Sequence, residues 1–304
     1  MARPVFADPK TDFVFKRLFG TEEHKDLVIA LLDGLLELSG PHRIVDLELL
    51  APEQRPAVSE LKQSIVDVKC RDARGVTYVV EMQVLNVEGF EKRVVYNVAK
   101  SYVGQLGRGA LYPELNDVIG ITICDFELWP QREGSKVPLL SRWRMQEQHV
   151  GEQGLGQIQF VFLELPKYDP ERPPETVVER WAYFFREAEN LTMVPEALAQ
   201  PPYVDALEAA RTAGFTEEEW DAYIRAGMAI QDERGALALA ERQGKEEGAR
   251  EATAAAILAV LAARGLAATD RVRQQIEGER DVEKLKRWLG AAVSAATAEA
   301  VVES

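Results

Sequence analysis

Residues 65–84 read IVDVKCRDARGVTYVVEMQV and carry the pattern that decides the fold. Two runs rich in valine flank the short segment 73–75, which ends in glycine. Because glycine readily adopts the left-handed conformation that three-residue hairpin loops favour, the stretch predicts a β-hairpin. Asp67 and Glu81 lie inside the two runs, although a carboxylate is rarely placed in the core of a strand. The hairpin therefore carries acids that folding alone does not explain.

The length of the loop sets the register of the hairpin. A three-residue loop pairs residues whose numbers sum to 148, so Asp67 is predicted to lie opposite Glu81, and Ile65 opposite Gln83. Directly paired residues share one face of a sheet, so these four side chains are predicted to form one cluster. The opposite face is predicted to be an apolar core formed by Val66, Val68, Cys70, Val80, Met82 and Val84.

The facing acids need a neutralising partner, because two like charges opposed across a strand pair destabilise it. A basic side chain, a shared proton or a bound cation would serve, and Lys69 is on the same face but two residues from Asp67. A divalent cation held by carboxylate oxygens is the sharper interpretation, and Mg²⁺ suits a site with few protein ligands and several waters. Acids in strands most often lie on a solvated face, and that simpler interpretation stays open.

The segments around the hairpin predict an α/β fold. Apolar residues at three- and four-residue spacing indicate helices, and short apolar runs bounded by turn residues indicate strands. The segment 116–128 is almost entirely apolar, as expected when helices cover both faces of a sheet. We predict helices at 11–19, 24–38 and 90–112 and strands at 43–51, 61–72, 76–86, 116–128, 137–148 and 158–168.

Beyond residue 175 the sequence changes to an all-α pattern rich in Ala, Glu, Leu and Arg. Gly244 and Gly248 each cost a helix about 1 kcal/mol, so they mark a soft spot or hinge. We expect three parts, namely a core domain at 1–170, a helical extension and linker at 171–245, and a small helical module at 250–304. Formation of a homo-oligomer through these C-terminal helices is a further hypothesis.

The composition bounds the class of protein. With 46% hydrophobic and 28% charged residues, the 304-residue chain is globular. The net charge of −14 argues against non-specific nucleic-acid binding, but residues 1–125 carry only −4, which leaves room for a local basic surface. No apolar run approaches the roughly 18–20 residues of a membrane span. Cys70 and Cys124 lie in apolar strands and are expected to be reduced core thiols of a cytoplasmic protein.

Three segments together resemble a known family. They are TDFVFKRLFG (11–20), SIVDVKCRDARGVTYVVEMQ (64–83) and FEKRVVYNVAKSYVGQLGRGALYPELNDVIGITICDFEL (90–128). In this order and spacing they resemble the Rpn family, the recombination-promoting nucleases and transposase-like proteins of the PD-(D/E)XK superfamily. The resemblance covers roughly residues 8–165 and implies a restriction-endonuclease-like core, in which helices flank a mixed central sheet.

The resemblance also implies a set of catalytic residues. Asp67 and Glu81 match the acids of the second and third motifs, which hold the metal ion. Gln83 stands where the wider superfamily has a lysine, a change typical of the Rpn group. Asp12 resembles the acid of the first motif, although it is equally well explained as a first-turn acid that favours the helix dipole.

Four basic residues are candidates for contacts with DNA. Lys16 follows Asp12 by one helical turn, and Lys69 lies within the hairpin. Arg93 and Lys100 lie on the helix that usually flanks the site in this fold. Simpler explanations are that Lys16 pairs with Asp12 on the surface and that Arg93 and Lys100 form a solvated helix face.

The function implied by the resemblance is a Mg²⁺-dependent DNA endonuclease linked to recombination or mobile DNA, with other divalent cations as alternatives. The lysine of the superfamily positions the attacking water or stabilises transition-state charge. Gln83 can orient water by hydrogen bonding but adds no positive charge, and Lys69 and Lys100 are the two alternatives for supplying it. The alternative hypothesis is a catalytically weak or inactive relative that acts as a DNA-binding or assembly module. Retention of both Asp67 and Glu81 favours the enzyme.

Overall fold

A computed structural model describes residues 3–54, 64–107, 109–134 and 136–303. Its centre is a six-stranded mixed sheet in the order β1-β4-β5-β6-β8-β7. The strands β5, β6 and β8 run parallel, and the other neighbours pair antiparallel. The strands are β1 (Leu47–Leu50), β2 (Glu53–Gln54), β3 (Ser64–Ile65), β4 (Val68–Asp72), β5 (Thr77–Gln83), β6 (Val118–Cys124), β7 (Leu140–Trp143) and β8 (Ile158–Glu164), of which β2 and β3 form a separate two-stranded sheet.

Helices cover both faces of the sheet. Along the described residues the helices are α1 (Asp12–Phe19), α2 (Lys25–Leu35), α3 (Phe90–Val103), α4 (Val177–Glu187), α5 (Tyr203–Ala209), α6 (Glu217–Ala263), α7 (Asp270–Gly278), α8 (Val282–Ala292) and α9 (Ala298–Val302), of which α1 to α5 lie against the sheet. This arrangement confirms the predicted α/β fold, a restriction-endonuclease-like core followed by an all-α region. The helix predicted at 90–112 is shorter than expected and ends at Val103, because Gly104 and Gly107 follow and glycine disfavours helix.

The larger core lies on the face of the sheet that α1, α2, α4 and α5 cover. Buried aromatic side chains join these helices, and the Phe19 and Trp181 ring centroids are 6.0 Å apart. The strand residues Cys70, Tyr78 and Val80 pack into the same core. The helices between residues 177 and 209 are thus part of the core that supports the sheet.

The opposite face of the sheet packs against α3. Val79 and Val118 contact Val98 of this helix, and all three side chains are buried. Gly120 of β6 makes the close approach possible, because a Cβ atom at this position would lie 2.4 Å from Val98 Cγ2. The sequence of β6 therefore sets how near α3 lies to the sheet.

The hairpin has the predicted register over the paired part of its strands. Val68 pairs with Val80 and Arg71 with Thr77, while Gly75 has a φ of +89°, as the loop requires. The predicted register fails before Val68, where the chain bends and leaves β4.

Three details of the predicted pairing are wrong for this reason. Ile65 pairs with Glu53 of β2 instead of lying opposite Gln83. Asp67 lies on the bend before the ladder begins, so it has no backbone partner in β5. Val66 packs with Val98 beneath α3, not with the apolar face that carries Val68, since the bend reverses the alternation of side chains.

The packing divides the chain into two compact units, Met1–Ile230 and Gln231–Ser304, whereas the sequence predicts divisions near residues 170 and 245. The second unit has its own buried cluster around Trp288, to which α7, α8 and α9 contribute. The helix α6 continues through Gly244 and Gly248 without a break. Among the described helices, none is both long and apolar enough to traverse a membrane.

Candidate active site

The two acids of the hairpin meet at the end of β5. Asp67 Oδ2 accepts a hydrogen bond from the backbone N–H of Met82, with 2.8 Å between the two atoms. Glu81 precedes Met82 in β5, and its side chain is buried. The sequence predicts that these carboxylates face each other through strand pairing. In the structure a side-chain bond to the neighbouring backbone brings them together instead.

The surroundings of Asp67 raise its pKa to about 7. Burial is the largest cause, and the charges of Glu81 and Asp12 act in the same direction. The hydrogen bond from Met82 and the charge of Lys16 oppose the rise. The helix α1 therefore brings its acid and its lysine within electrostatic reach of the hairpin, so residues far apart in the sequence share one site.

Glu81 is held from the other side by α3. Asn97 Nδ2 donates a hydrogen bond to Glu81 Oε1 over 2.7 Å, and both side chains are buried. Burial raises the pKa of Glu81, while the Asn97 hydrogen bond and the charge of Arg93 lower it. Asn97 Oδ1 is buried without a hydrogen-bond partner among the described residues.

Asn97 is a site residue that sequence reasoning missed. It lies four residues after Arg93 and three before Lys100 on α3. The available signal was an uncharged amide between these two cations in the sequence. Its significance depends on which strand residue it meets, and this comes only from packing.

Gln83 is engaged at both ends of its amide. Its Nε2 donates to the carbonyl oxygen of Met82 over 3.0 Å, and its Oε1 accepts a hydrogen bond from the Arg93 guanidinium. The Arg93 guanidinium carbon also lies 5.5 Å from the centre of the Phe90 ring. Gln83 thus contacts a cation that belongs to α3.

The structure places the remaining predicted residues on three elements, α1, β4 and α3. Asp12 and Lys16 form an ion pair of 2.6 Å on the exposed side of α1, near Asp67. Lys69 is half-buried opposite Val79, where burial and the charge of Arg71 lower its pKa.

Lys100 lies further along α3. Its Nζ is 3.4 Å from Ser64 Oγ and 5.5 Å from the centre of the Tyr96 ring. The first of these contacts joins α3 to β3. Arg93, one of the predicted cations, donates a hydrogen bond to Gln83.

The acid pair fits a water-rich divalent metal site. Asp67 accepts through Oδ2 and Glu81 through Oε1, so within the part of the chain that the structure describes Asp67 Oδ1 and Glu81 Oε2 are available as oxygen ligands for a cation. Mg²⁺ is commonly bound through one or two carboxylates, with waters and substrate phosphate completing its shell. Within the described parts of the chain, no cluster of three or more His, Cys, Asp or Glu residues is arranged to hold a metal ion. The donor set suits such an ion and does not form an all-protein cage.

A mixed sheet flanked by helices, with paired acids at the end of its central hairpin, defines a restriction-endonuclease-like class of protein. A family model for PD-(D/E)XK nuclease family transposases matches residues 9–240. The chain belongs to this family, which confirms the resemblance inferred from the sequence. The match extends past the predicted core domain and includes α4 and α5. No curated protein and no solved structure gave a significant match.

Proposed function

We propose that the protein is a metal-dependent endonuclease that hydrolyses phosphodiester bonds in DNA, in connection with recombination or mobile DNA. The observation that carries the proposal is that Asp67 and Glu81 lie close together at the end of β5, each with one carboxylate oxygen that no described residue occupies. Membership of a nuclease family transposase group supports DNA as the substrate.

Each residue of the site has a role in this proposal. Asp67 and Glu81 hold the divalent cation, with Mg²⁺ as the first candidate. When bound, the ion polarises the scissile phosphate and lowers the pKa of a bound water toward neutrality. The Met82 N–H orients the Asp67 carboxylate, and Asn97 orients that of Glu81.

The reaction is a hydrolysis without redox change. The oxygen of the attacking water forms a bond to phosphorus, and the bond from phosphorus to the leaving sugar oxygen breaks. The water gives up a proton to solvent, and the leaving oxygen takes one from solvent. The two acids and their hydrogen-bond partners act by fixing geometry and charge where the phosphate binds.

Plasmid cleavage tests the proposal directly. The protein is expected to nick or linearise supercoiled DNA with Mg²⁺ and to stop when EDTA is added. Asp67→Asn and Glu81→Gln should each lose at least about 10²-fold in rate, because each removes a charged ligand without changing shape. Glu48→Gln, an exposed acid in β1, is the matched control and should cleave like the parent. Equal cleavage by all three variants would contradict the metal site.

A second candidate is a DNA-binding or assembly protein with little catalysis. The specific observation in its favour is that Gln83 replaces the lysine of the superfamily. Gel-shift and cleavage assays on the same samples separate the two candidates. Binding of DNA without cleavage in Mg²⁺ or Mn²⁺ would favour the second one.

A further inference from the structure

We propose that Arg93 supplies from α3 the positive charge that Gln83 cannot supply from β5, and that Gln83 holds the Arg93 guanidinium beside the scissile phosphate. This inference rests on the proposed nuclease function and assigns a role within it. Arg93 would be a catalytic residue that contacts the phosphate, and Gln83 would be a positioning residue.

The side chain of Gln83 links β5 to the Arg93 guanidinium. The amide Nε2 is tied to the carbonyl of Met82 over 3.0 Å, which fixes the orientation of the amide plane. The amide Oε1 then presents an acceptor to Arg93 at a defined position. A neutral amide carries no charge, but it can hold a charged donor in place.

Arg93 is placed to act on a substrate. Its side chain is exposed, and its charge is close enough to Glu81 to interact with that carboxylate. A guanidinium has five N–H donors, and the hydrogen bond to Gln83 uses one of its nitrogens. The Phe90 ring lies 5.5 Å from the guanidinium carbon and limits the positions that the side chain can take.

The other cations near the site have different attachments. Lys16 is paired with Asp12. Lys69 is half-buried and lies opposite Val79 of β5. Lys100 contacts Ser64 of β3. Of these four described cations, Arg93 donates the hydrogen bond to Gln83, which stands where the resemblance implies the lysine of the wider superfamily.

Arginine suits this task chemically. Its planar fork of donors matches two phosphate oxygens, and it stays protonated at all working pH values. It can therefore stabilise negative charge on the phosphoryl oxygens as the water oxygen attaches and the sugar oxygen leaves. It cannot take the proton of the water, which goes to solvent.

Single-turnover cleavage at saturating DNA tests the role. Arg93→Gln is expected to slow the cleavage step by about 10²-fold or more, the usual effect of removing one donor to developing charge. Lys92→Gln, a neighbouring exposed cation on the same helix, is the matched control and should cleave like the parent. DNA affinity measured in Ca²⁺ should change much less than the rate.

Two double variants test whether a positive charge at position 83 can replace that of Arg93. Gln83→Lys added to Arg93→Gln restores a cation at the strand position and should recover at least about tenfold of the lost rate. Gln83→Met added to Arg93→Gln has similar length without charge and should recover nothing. The Mg²⁺-induced rise in melting temperature should be the same in Arg93→Gln as in the parent, which shows that the metal ligands are intact.

The outcomes separate this inference from the proposed function. If Arg93→Gln cleaves as fast as Lys92→Gln, or if the lysine and methionine double variants cleave equally slowly, Arg93 does not have this role and the nuclease function stands. If the parent protein does not cleave DNA with any divalent cation, the proposed function fails and the role of Arg93 fails with it.

Discussion

The Asp67 carboxylate accepts a hydrogen bond from the backbone N–H of Met82, with 2.8 Å between Oδ2 and N. The bond occupies the place where the ladder between β4 and β5 would continue, since the backbone pairing stops at Val68 and Val80. A side chain thus replaces a backbone acceptor at the point where the chain bends. The hydrogen bond holds the Asp67 carboxylate beside Glu81. The two like charges lie close together, so they affect both the stability of the protein and its dependence on pH.

Replacement of Asp67 by asparagine should lower the cleavage rate without lowering the stability of the metal-free protein. Asp67→Asn keeps an oxygen that can accept from Met82 but removes a charge that opposes Glu81. We expect cleavage to fall at least about 10²-fold. Without metal at pH 8, the melting temperature should be unchanged or should rise by about 2–4 °C, which corresponds to roughly 1 kcal/mol. Differential scanning fluorimetry measures the second effect, and a clear fall in melting temperature would contradict it.

The stability of the metal-free protein should depend on pH through the same residue. Asp67 binds its proton more tightly in the folded state, where its pKa is about 7, than in the unfolded chain, where it is near 3.8. Its contribution to stability is therefore present below about pH 4 and is lost as the pH rises toward 7. Urea unfolding between pH 5 and pH 8 should show this loss in the parent and a clearly smaller one in Asp67→Asn, in which Glu81 is the remaining buried acid with a raised pKa.

Metal binding should reverse this trend, because a cation competes with the proton for the same carboxylate. The rise in melting temperature that Mg²⁺ produces should be larger at pH 8 than at pH 6. An equal rise at both pH values would argue against Asp67 as a ligand.

The hydrogen bond from Asn97 should support both the fold and the site. Asn97→Ala leaves the buried Glu81 carboxylate without this donor, which should cost about 1–3 kcal/mol of unfolding free energy and reduce cleavage. Ser101→Ala, one turn further along α3, removes a longer hydrogen bond of 3.3 Å to Gln54 and serves as the control. Chemical denaturation and plasmid nicking on both variants test the prediction. Cleavage reduced equally by the control would show a general effect of α3.

The distance between α3 and the sheet should be set by Gly120. Gly120→Ala places a methyl group 2.4 Å from Val98 Cγ2, so the helix that carries Asn97 and Arg93 must move. We expect a loss of about 1–3 kcal/mol, as for other overpacked cores, together with slower cleavage. Val98→Ala added to Gly120→Ala removes the clashing methyl group and should restore part of both. A double variant no better than Gly120→Ala would contradict this explanation.

A buried ion pair at the end of β8 should hold the loop that follows β6. Glu164 Oε1 is 2.7 Å from Lys167 Nζ, and its Oε2 accepts from the backbone N–H groups of Leu128 and Trp129 at 2.7 and 3.0 Å. Lys167→Met leaves a buried carboxylate unpaired and should cost about 3–5 kcal/mol of unfolding free energy. Glu164→Leu combined with Lys167→Met should lose less than the two single changes together, as a double-mutant cycle would measure.

The sequence alone determined the hairpin and its acids. The loop ending in Gly75 and the alternation of valines set the register of β4 and β5, because loop geometry and side-chain alternation are local properties. The same local pattern identified Asp67 and Glu81 as acids without a folding reason. The order of the motifs around them was sufficient to indicate the family.

Only the tertiary structure decided how the acids are held. The chain bends before Val68, which the alternation of valines does not indicate. Asn97 contacts Glu81, and Arg93 contacts Gln83. In both contacts a residue of α3 meets a residue of β5, and the local pattern of one element carries no information about the other. These contacts depend on how closely α3 packs on the sheet, and this distance is set by side-chain volumes in a shared core. The sequence could place charges on each element, whereas packing determined which charges meet.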